Sequence, residues 1–548
     1  MDMYKFDCGC ELPILGPANP GFDIPKLDID FYKINLACAE TWRLIADGKT
    51  CGIFQVETDL GANWCKRIKP EKVEHMAAIG ALLRPGCLQA KTEDDKGVVK
   101  NMPQHYADRK SGKDAIKQYH DVVDRCLLET FGVLCFQEQS IRLVKELAGF
   151  TLEEADLLRR ALGKKKADEM AKIQTMFISK AKELGIINEQ QADEVFGWIK
   201  SGERYSFNKS HAVQYGIAGY VSAYIKYHFP KMFYTVWLGD SIGQADGEDD
   251  VKKLVIDAQS NGVKVNTPKL YNMKDNFYFD GQELHFGLLN IKKVGVSVLK
   301  QLNKLIPTLP KPLKELSWTE FLILVAYNTK SDAMTSLIMA GALDYYKIPR
   351  SEMKYHFQKL LLVNENEIEW IKDNCLNLHI IDAIEKCSKT KKEGGGTNTA
   401  PRQKILEDIV KMLREPSSDL KDSPTKIIQA ERSLLGVGLS YTVAESIDDD
   451  DINCSCAAFK EGKTLDQLVL GVEIVSVRAY NIKNGKSKGK NMYYLDITDG
   501  TSNIGNCTVF PEQFEEYGPL ITPGNKVVLY GKKDNKYNSL TVNKVKQA

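Results

Sequence analysis

Long apolar runs are missing from this sequence. No stretch of the 548 residues approaches the roughly 18 to 20 consecutive apolar residues that a membrane-spanning helix requires. The first residues, MDMYKFDCGCELPI, lack the basic and apolar regions of a secretory signal. The 13 cysteines are odd in number and follow no regular spacing, which argues against a disulfide framework. We therefore expect a cytoplasmic protein with reduced thiols and no membrane partner.

The sequence also lacks net charge and convincing zinc-ligand spacing. A net charge of +1 provides no global basic field, so any anion site must be local. Cys8 with Cys10, and Cys454 with Cys456, form C-x-C pairs. Structural zinc sites usually space their ligands C-x₂₋₄-C, and neither pair has a convincing second pair. We therefore expect ordinary thiols at these positions and assign no metal site.

Composition changes along the chain predict a multidomain protein. Hydrophobic residues make up 43% and charged residues 27%, as in soluble globular proteins. The predicted regions are an irregular Pro- and Gly-rich lead-in (1–45), a mainly helical domain (46–260), short strands around an Asp-Gly turn followed by short helices (261–350), a helical connector containing a flexible linker at 388–404 (351–465), and five short strands (466–548). Five strands in about 80 residues is typical of an OB barrel.

Five cations lie within the eight residues RRALGKKK, at the end of a predicted helix. The preceding TLEEADLL begins with a capping box and continues with an apolar stripe at helical spacing. Arg159 borders this stripe, and Arg160 lies about 100° further around the helix. Gly163 is expected to end the helix, with Lys164 at the break. Most such runs are solvated cationic faces, but an arginine beside a buried stripe favours a binding partner.

A second cationic segment, FNKSHAVQYG, begins another predicted helix that Pro230 ends. Ser210 is a natural N-cap, and Lys209 and His211 flank it. Backbone N–H groups, a lysine and a histidine at the start of a helix suit a phosphate. Chemistry alone leaves a structural and a phosphate-binding role for His211 equally open. The helix carries small residues that permit close packing on a neighbour: Ala212, Gly216, Gly219 and Ala223.

Both segments resemble the fingers of the bacterial or phage replicative DNA polymerase III alpha subunit (family C). Further stretches are similar to that family in the same order: CGIFQVET, ALLRPGCLQA, LHFGLLNIKKVG, LIMAGALD and ERSLLGVGLS. In that family the fingers grip the triphosphate of the incoming nucleotide. The resemblance therefore implies that Arg159, Arg160 and His211 contact a dNTP, with Lys164 and Lys209 assisting.

The resemblance also implies two Mg²⁺ ions, because phosphoryl transfer needs metals held by carboxylates. The family holds them with a D-x-D pair on the palm and a third aspartate. The D-x-D formed by Asp28 and Asp30 stands too close to FQVET and matches a connector after the palm. Asp7 in YKFD resembles the third carboxylate. We therefore expect a split polymerase, whose palm- and thumb-bearing partner chain supplies most of the metal ligands.

Two downstream regions suit primer–template DNA. NIKKVGVSVLKQL resembles a helix-hairpin-helix whose turn contains Lys292, Lys293 and Gly295, and TSLIMAGALDYY resembles a second hairpin. Residues 474–548 hold 11 Lys and Arg against 6 Asp and Glu. Basic grooves with aromatic side chains suit single-stranded DNA, although about half of such aromatics are expected in the barrel core. The aromatic candidates are Tyr493, Tyr494, Phe510, Tyr530 and Tyr537.

Other functions remain in competition. One alternative is a non-catalytic DNA-binding protein that kept these modules. A palm-bearing chain encoded nearby would favour the polymerase over this alternative. An NAD-dependent DNA ligase also combines hairpins with an OB fold, but it requires a K-x-D-G nucleophile that this sequence lacks. The family's sliding-clamp segment has no clear copy, because the linker KKEGGGTNT occupies that region.

Overall fold

The structure is a computed structural model that describes most of the chain. The described residues are 2–19, 24–94, 96–164, 167–202, 206–241, 247–390, 399–460, 462, 467–482, 487–534 and 539–548. Tyr537 and residues 391–398 of the predicted linker lie outside them. The chain forms two compact units, Met1–Phe233 and Tyr234–Ala548.

The first unit is mainly helical. Its strands are β1 (Met3–Lys5), β2 (Glu11–Gly16), β3 (Lys26–Leu27), β4 (Lys91–Glu93) and β5 (Val99–Asn101). Its helices are α1 (Ala39–Ala46), α2 (Asp59–Ile68), α3 (Val73–Leu82), α4 (Pro85–Gln89), α5 (Met102–Lys110), α6 (Asp121–Leu127), α7 (Gln137–Ala148), α8 (Leu152–Lys164), α9 (Ala167–Leu184), α10 (Glu189–Gly202) and α11 (Lys209–His228). The next helix, α12 (Pro230–Asp240), contains the boundary between the units.

The N-terminal region is more regular than its composition predicts. Strands β1 and β2 pair antiparallel, with Met3 opposite Pro13 and Lys5 opposite Glu11. The chain reverses between them through Gly9, whose φ of 85° is readily available only to glycine. The predicted irregular lead-in was therefore wrong here, because a short hairpin with a glycine turn needs little hydrophobic periodicity to form.

Helix α11 packs closely on α3. A Cβ atom at Gly216 would meet the backbone nitrogen of Ala77 at 3.1 Å, and one at Gly219 would meet the carbonyl oxygen of Phe54 at 3.0 Å. Distances below about 3.4 Å leave no room for a larger side chain without movement of the neighbour. The small residues of α11 therefore allow close packing, as the sequence predicts, and Pro230 follows the helix as expected.

The five helices from α6 through α10 share a separate apolar core. Its buried side chains include Leu143 of α7, Leu158 of α8, Phe177 of α9 and Phe196 of α10. Ala155 and Leu158 of the predicted apolar stripe of α8 lie in this core. Its capping box is also present, because Thr151 and Glu154 exchange hydrogen bonds between side chain and backbone N–H.

The second unit combines helices with two small β structures. Its helices after α12 are α13 (Gly247–Ser260), α14 (Val296–Leu305), α15 (Trp318–Phe321), α16 (Ser331–Met339), α17 (Arg350–Leu360), α18 (Glu365–Asn374), α19 (Ile380–Lys389), α20 (Ala400–Arg414), α21 (Pro424–Leu435), α22 (Cys456–Lys460) and α23 (Pro511–Tyr517). Its strands are β6 (Val265–Asn266), β7 (Tyr278–Phe279), β8 (Leu284–His285), β9 (Leu468–Asn481), β10 (Asn491–Thr498), β11 (Asn503–Val509), β12 (Lys526–Asp534) and β13 (Ser539–Gln547).

The last five strands form a closed barrel in the order β10-β11-β13-β12-β9, which confirms the predicted C-terminal barrel. Strands β11 and β13 pair in parallel, and the remaining neighbours pair antiparallel. Gly531 lies at an irregularity in the β12–β13 register. A Cβ there would meet the Thr541 carbonyl oxygen at 2.4 Å, so the bend requires glycine.

Two further boundaries differ from the sequence-based division. The compact units divide at 233/234 inside α12, whereas composition puts a boundary at 260/261. The linker 388–404 is shorter than predicted, because Ser388 and Lys389 end α19, and residues 400–404 begin α20. The other domain boundaries stay predictions. In the part of the chain that the structure describes, no helix is long and apolar enough to cross a membrane.

Candidate functional site

The first turn of α11 holds the predicted phosphate-binding residues. Asn208, rather than Ser210, caps this helix, and its Oδ1 accepts a hydrogen bond from the His211 backbone N–H at 2.9 Å. Asparagine is at least as good an N-cap as serine, so the helix begins two residues earlier than predicted. Lys209, Ser210 and His211 consequently all lie within the first turn, where the helix dipole is positive.

Two carboxylates already contact this helix start. Glu138, near the start of α7, accepts hydrogen bonds from the Lys209 backbone N–H at 2.8 Å and from Asn208 Nδ2 at 2.9 Å. Glu129 accepts from Lys209 Nζ at 2.6 Å, and both of these side chains are about one-third exposed. The helix start therefore binds anionic groups in this structure, and those groups belong to the protein itself.

Aromatic rings extend along one side of α11 from this helix start. The ring centroids of Phe207 and His211 are 5.4 Å apart, and those of His211 and Tyr215 are 4.0 Å apart. Tyr215 in turn makes an edge contact with Phe54 at 5.2 Å. The guanidinium of Arg84 lies over the Phe207 ring, 3.7 Å from its centroid. A cation and four rings thus form one continuous surface beside Lys209.

The segment that carries Phe54 is firmly held. Gln55 has a φ of 71°, a left-handed backbone conformation that is unusual for a residue with a side chain. Lys226 of α11 is 2% exposed, and its ammonium donates to the carbonyl oxygens of Lys49 at 2.9 Å and Cys51 at 2.8 Å. A buried ammonium requires such acceptors, so Lys226 fixes the chain just before FQVET against α11.

The predicted arginines lie on α8, which is one residue longer at its C-terminal end than the sequence predicts. The helix continues through Gly163 to Lys164, whereas the sequence predicts that it ends at the glycine. One glycine costs a helix only about 1 kcal/mol, which neighbouring residues can offset. Arg160 is exposed and pairs with Asp156 one turn earlier at 2.6 Å. The backbone of Arg159 and Lys164 is described, but their side chains are not.

Asp7 is exposed in the turn between β1 and β2. Among the residues that the structure describes, one group of three or more His, Cys, Asp and Glu side chains is close enough to hold a metal ion, and Asp7 is not in it. Within the described part of the chain, Asp7 therefore does not belong to a group of three or more side chains that could hold the expected Mg²⁺ ions. Asp30, from the rejected D-x-D, pairs with Lys33 at 2.9 Å.

The predicted helix-hairpin-helix at Lys292, Lys293 and Gly295 is incomplete. Gly295 caps α14 as expected, and both lysines are exposed. The preceding arm is only a 3₁₀ turn, Leu288–Asn290, instead of an α-helix. The backbone N–H groups of Leu288 and Leu289 donate to the carbonyl oxygens of residues 274 and 275, which connects this arm to an earlier segment. In the second predicted hairpin, α16 leads through Gly341, with φ of 84°, to a 3₁₀ turn.

Neighbouring tyrosines of the barrel face opposite ways. Tyr493 stacks on Phe514 with centroids 3.4 Å apart and packs against the barrel core. Tyr494, one residue later, makes an edge contact with Tyr480, which is 47% exposed. Sequence reasoning did not single out Tyr480. Because successive residues of a strand face opposite sides, its position in β9 could have indicated which side of the barrel it faces.

The other barrel candidates differ in exposure. Phe510 is 45% exposed and follows β11. Tyr530 is buried in a small apolar cluster with Val443 and Val528. Its hydroxyl donates to Asp451 at 2.8 Å, which gives Tyr530 a packing role instead of an exposed stacking face. Cys454 and Cys456 belong to the barrel core, as ordinary buried thiols.

At the α11 site, sequence reasoning missed Glu129 and Glu138, and it also missed four residues of the aromatic surface, namely Phe54, Arg84, Phe207 and Tyr215. All four residues of the aromatic surface lie in motifs that resemble the family. Phe54 is in CGIFQVET, Arg84 is in ALLRPGCLQA, and Phe207 and Tyr215 are in FNKSHAVQYG. Their meeting depends on tertiary packing between segments that are far apart in sequence. No local periodicity carries that information.

Comparisons with known proteins agree with this architecture. Residues 23–185 match the family described as the bacterial DNA polymerase III alpha subunit finger domain. The chain is 29% identical over 517 residues to DNA polymerase III subunit alpha of Aquifex aeolicus, covering 92% of this chain and 38% of that protein. It is 27% identical over 524 residues to the subunit of Bacillus subtilis, covering 92% of this chain and 41% of that protein. It is 32% identical over 325 residues to the subunit of Thermus aquaticus, covering 58% of this chain and 25% of that protein.

The chain thus spans about two fifths of the length of the first two relatives. Arg159, Arg160 and Lys164 lie inside the matched finger domain, whereas Lys209 and His211 follow it along the chain. From its mainly helical first unit, its C-terminal barrel and these comparisons, we conclude that this protein is similar to DNA polymerase III subunit alpha over about nine tenths of its length, and that residues 23–185 match the finger-domain model of that subunit.

Proposed function

We propose that this chain supplies the fingers and DNA-contacting part of a replicative DNA-directed DNA polymerase. It binds the incoming dNTP and primer–template DNA, and a separate palm- and thumb-bearing chain provides the main carboxylates for two Mg²⁺ ions. Similarity to DNA polymerase III subunit alpha over about nine tenths of the chain supports the replicative role. Asp30 of the D-x-D at 28–30 pairs with Lys33 at 2.9 Å, and we assign the main metal ligands to the palm- and thumb-bearing partner instead.

The observation that carries this proposal is the meeting of three distant motifs at the start of α11. Arg84, Phe207 and Lys209 provide two cations and an aromatic face within one surface, and Phe54 extends it. A helix start with exposed cations is a natural site for a phosphate, because its backbone N–H groups and dipole both favour negative charge. The aromatic rings supply a flat face on which a nucleoside can stack.

Glu138 and Glu129 define how a nucleotide would enter. Each carboxylate occupies a donor that a phosphate oxygen would use, namely the Lys209 backbone N–H and the Lys209 ammonium. A triphosphate carries more charge than either carboxylate, so it would displace them and leave the protein's carboxylates facing solvent. When no nucleotide is present, we expect the pairing with Glu138 and Glu129 to keep Lys209 from binding other anions.

The arginines of α8 would complete the triphosphate site. Helices α7 and α8 pack in one core and are joined by only residues 149–151. Such a short connection favours an antiparallel pair, which directs the end of α8 towards the start of α7. Glu138 at the start of α7 contacts the start of α11. Arg160 would then exchange its pairing with Asp156 for the triphosphate.

Substitutions at Arg160 and His211 test this assignment in the two-chain enzyme. Arg160→Ala should weaken nucleotide use roughly 10²-fold, about 3 kcal/mol, because a charge-assisted contact to the departing pyrophosphate is lost. His211→Ala should act on the same step with a smaller effect. The measurement is steady-state primer extension at varied dNTP concentration, beside a titration of primer–template binding without nucleotide.

Arg125→Ala is the matched control, since Arg125 is an exposed arginine of the same unit that pairs with Glu146 at 3.0 Å. This control should leave nucleotide use and DNA binding unchanged. If Arg160→Ala and His211→Ala instead weaken duplex binding and keep normal dNTP dependence, these residues serve DNA phosphates and the nucleotide site is misplaced.

A further inference from the structure

Three cysteines and one histidine meet beneath the N-terminal hairpin. They are Cys8, Cys10, Cys38 and His228, and their four potential ligand atoms lie within 4.8 Å of one another. The sulfur atoms of Cys8 and Cys38 are 3.8 Å apart, and His228 Nε2 lies 3.9 Å from the first and 3.7 Å from the second. These residues come from three separate parts of the chain and lie in one compact unit.

These distances match a tetrahedral zinc site. With Zn–S bonds of about 2.3 Å and Zn–N bonds of about 2.0 Å, tetrahedral geometry separates two sulfur ligands by about 3.8 Å and a sulfur from a nitrogen by about 3.5 Å. A disulfide would instead bring two sulfur atoms to about 2.05 Å, and all 13 cysteines are free. Three of the four atoms therefore lie close to the separations that one tetrahedral ion requires, and the fourth, Cys10 Sγ, lies within 4.8 Å of each of them.

Each ligand is held by a distinct local feature. Cys8 and Cys10 flank Gly9 in the hairpin turn, where the Phe6 backbone N–H donates to the Cys10 carbonyl oxygen at 2.8 Å. Cys38 directly precedes α1 as its N-cap residue. His228 is the last residue of α11. The fold thus brings a turn and the ends of two helices to one point.

The surroundings suit thiolate ligands and keep the imidazole in place. Cys10, Cys38 and His228 are all buried. The Cys10 backbone N–H donates to Cys8 Sγ at 3.5 Å, and Asn35 Nδ2 donates to Cys10 Sγ at 3.8 Å. Hydrogen bonds to coordinating sulfur stabilise its negative charge.

Aromatic rings also enclose the imidazole. The His228 ring lies 4.5 Å from Phe6 and 4.1 Å from Tyr224, measured between centroids. Buried thiols and a histidine in this arrangement could be core residues without a metal. However, four ligand atoms converging on one point from three segments are not needed for packing alone, and soft sulfur donors select zinc over magnesium.

We propose that Cys8, Cys10, Cys38 and His228 bind one structural Zn²⁺ ion, which ties the N-terminal hairpin to α1 and α11. Three sulfur ligands and one nitrogen fill a tetrahedral set and leave no position for substrate, so the ion stabilises the fold. Because the C-x-C pair finds its other two ligands 28 and 218 residues further along the chain from Cys10, sequence spacing did not predict the site.

The zinc site is separate from the proposed nucleotide site. His211 and His228 lie 17 residues apart on α11, which is about 26 Å along a helix. Removing the metal therefore tests this proposal through stability and metal content, without any assay of polymerase activity.

The first test is the metal content of the purified full-length chain, after removal of any affinity tag. We expect one zinc per chain by inductively coupled plasma mass spectrometry, released when a mercurial reagent modifies the thiols. Replacement by Co²⁺ should give the visible d–d bands of a tetrahedral ion and the near-ultraviolet bands of thiolate ligands. A chain that takes up neither ion, or that shows a Cys8–Cys38 disulfide by peptide mass spectrometry, contradicts the proposal.

The second test uses ligand variants and a matched control. Cys38→Ala and His228→Gln should lose the zinc, whereas Cys65→Ala, which removes an equally buried thiol outside the cluster, should keep it. Chelation should lower Tm by on the order of 5–10 °C in wild type and in Cys65→Ala. It should leave the Tm of the two ligand variants unchanged. Equal zinc loss in Cys65→Ala and Cys38→Ala contradicts the proposal, and the Co²⁺ spectrum of wild type decides the matter if a ligand variant fails to fold.

Discussion

At the residue scale, Arg350 shows how the second unit fixes a buried charge. Its side chain is 4% exposed and donates to Glu431 Oε1 at 2.8 Å, to Asp344 Oδ1 at 2.9 Å and to the Met339 carbonyl oxygen at 3.1 Å. Burial raises the pKa of the Asp344 carboxyl above its usual value. Gly341 leaves the space that the guanidinium fills, since a Cβ there would lie 2.4 Å from Arg350 Nη2.

Arg350→Met should therefore destabilise the second unit by about 3 to 5 kcal/mol, because it leaves buried Glu431 without its cationic partner. The measurement is the free energy of unfolding in urea. Arg414→Met is the control, because that arginine is 52% exposed and pairs with Glu385 at the surface. It should cost under about 1 kcal/mol. If Arg350→Met lowers the free energy of unfolding by less than about 1 kcal/mol, the buried network stabilises the unit no more than an exposed ion pair does.

Individual side chains were predicted from the sequence only where local geometry decides their direction. The chemistry of Lys209 and His211 at a helix start could be read from FNKSHA. Their partners Glu129 and Glu138 could not, because those lie 80 and 71 residues from Lys209 along the chain. His228 likewise belongs to α11 by sequence pattern, but its meeting with Cys8 requires the tertiary fold.

At the element scale, the barrel presents a specific outer surface. Tyr480 of β9 lies opposite Met492 of β10, and Arg478 lies opposite Tyr494. Residues that alternate by two share a face, so these four side chains lie on one side of the sheet. Arg478 pairs with Asp496 at 3.0 Å, and its side chain is 56% exposed. We infer that this face is where single-stranded DNA would stack.

Tyr494→Ala and Tyr480→Ala should each weaken binding of single-stranded DNA by the full chain on the order of tenfold, because a stacked aromatic ring contributes about 1 to 3 kcal/mol. Affinity should also fall as salt rises. Fluorescence anisotropy with a labelled oligonucleotide measures both effects. Tyr32→Ala is the control, since Tyr32 is fully exposed in the other unit. Unchanged affinity in both barrel variants would assign this face to another role.

The elements themselves were largely predictable, and their exceptions have physical causes. The five barrel strands agree with the sequence because alternating apolar residues and turn residues mark each one. The first arm of the predicted hairpin before Lys292 is a 3₁₀ turn instead of an α-helix, and Leu288 and Leu289 connect it to residues 274 and 275 by hydrogen bonds that local sequence patterns do not indicate. The start of α11 was two residues off, because two adequate caps compete within FNKSHA.

At the scale of the whole molecule, the protein consists of two compact units, Met1–Phe233 and Tyr234–Ala548. The first carries the proposed triphosphate site and zinc site, and the second carries the barrel. Similarity to DNA polymerase III subunit alpha extends across both. The proposed function assigns the triphosphate cations to this protein and the main metal-binding carboxylates to a palm-bearing partner, so catalysis depends on both.

Primer extension by the purified chain, with and without a palm-bearing chain encoded near it, tests this account most directly. Both reactions contain primer–template DNA, all four dNTPs and Mg²⁺. We predict no extension by this chain alone, because two-metal catalysis needs the carboxylates that the proposal assigns to the palm-bearing chain. We predict extension when the two chains are mixed. Robust, metal-dependent extension by the highly purified chain alone would contradict the account.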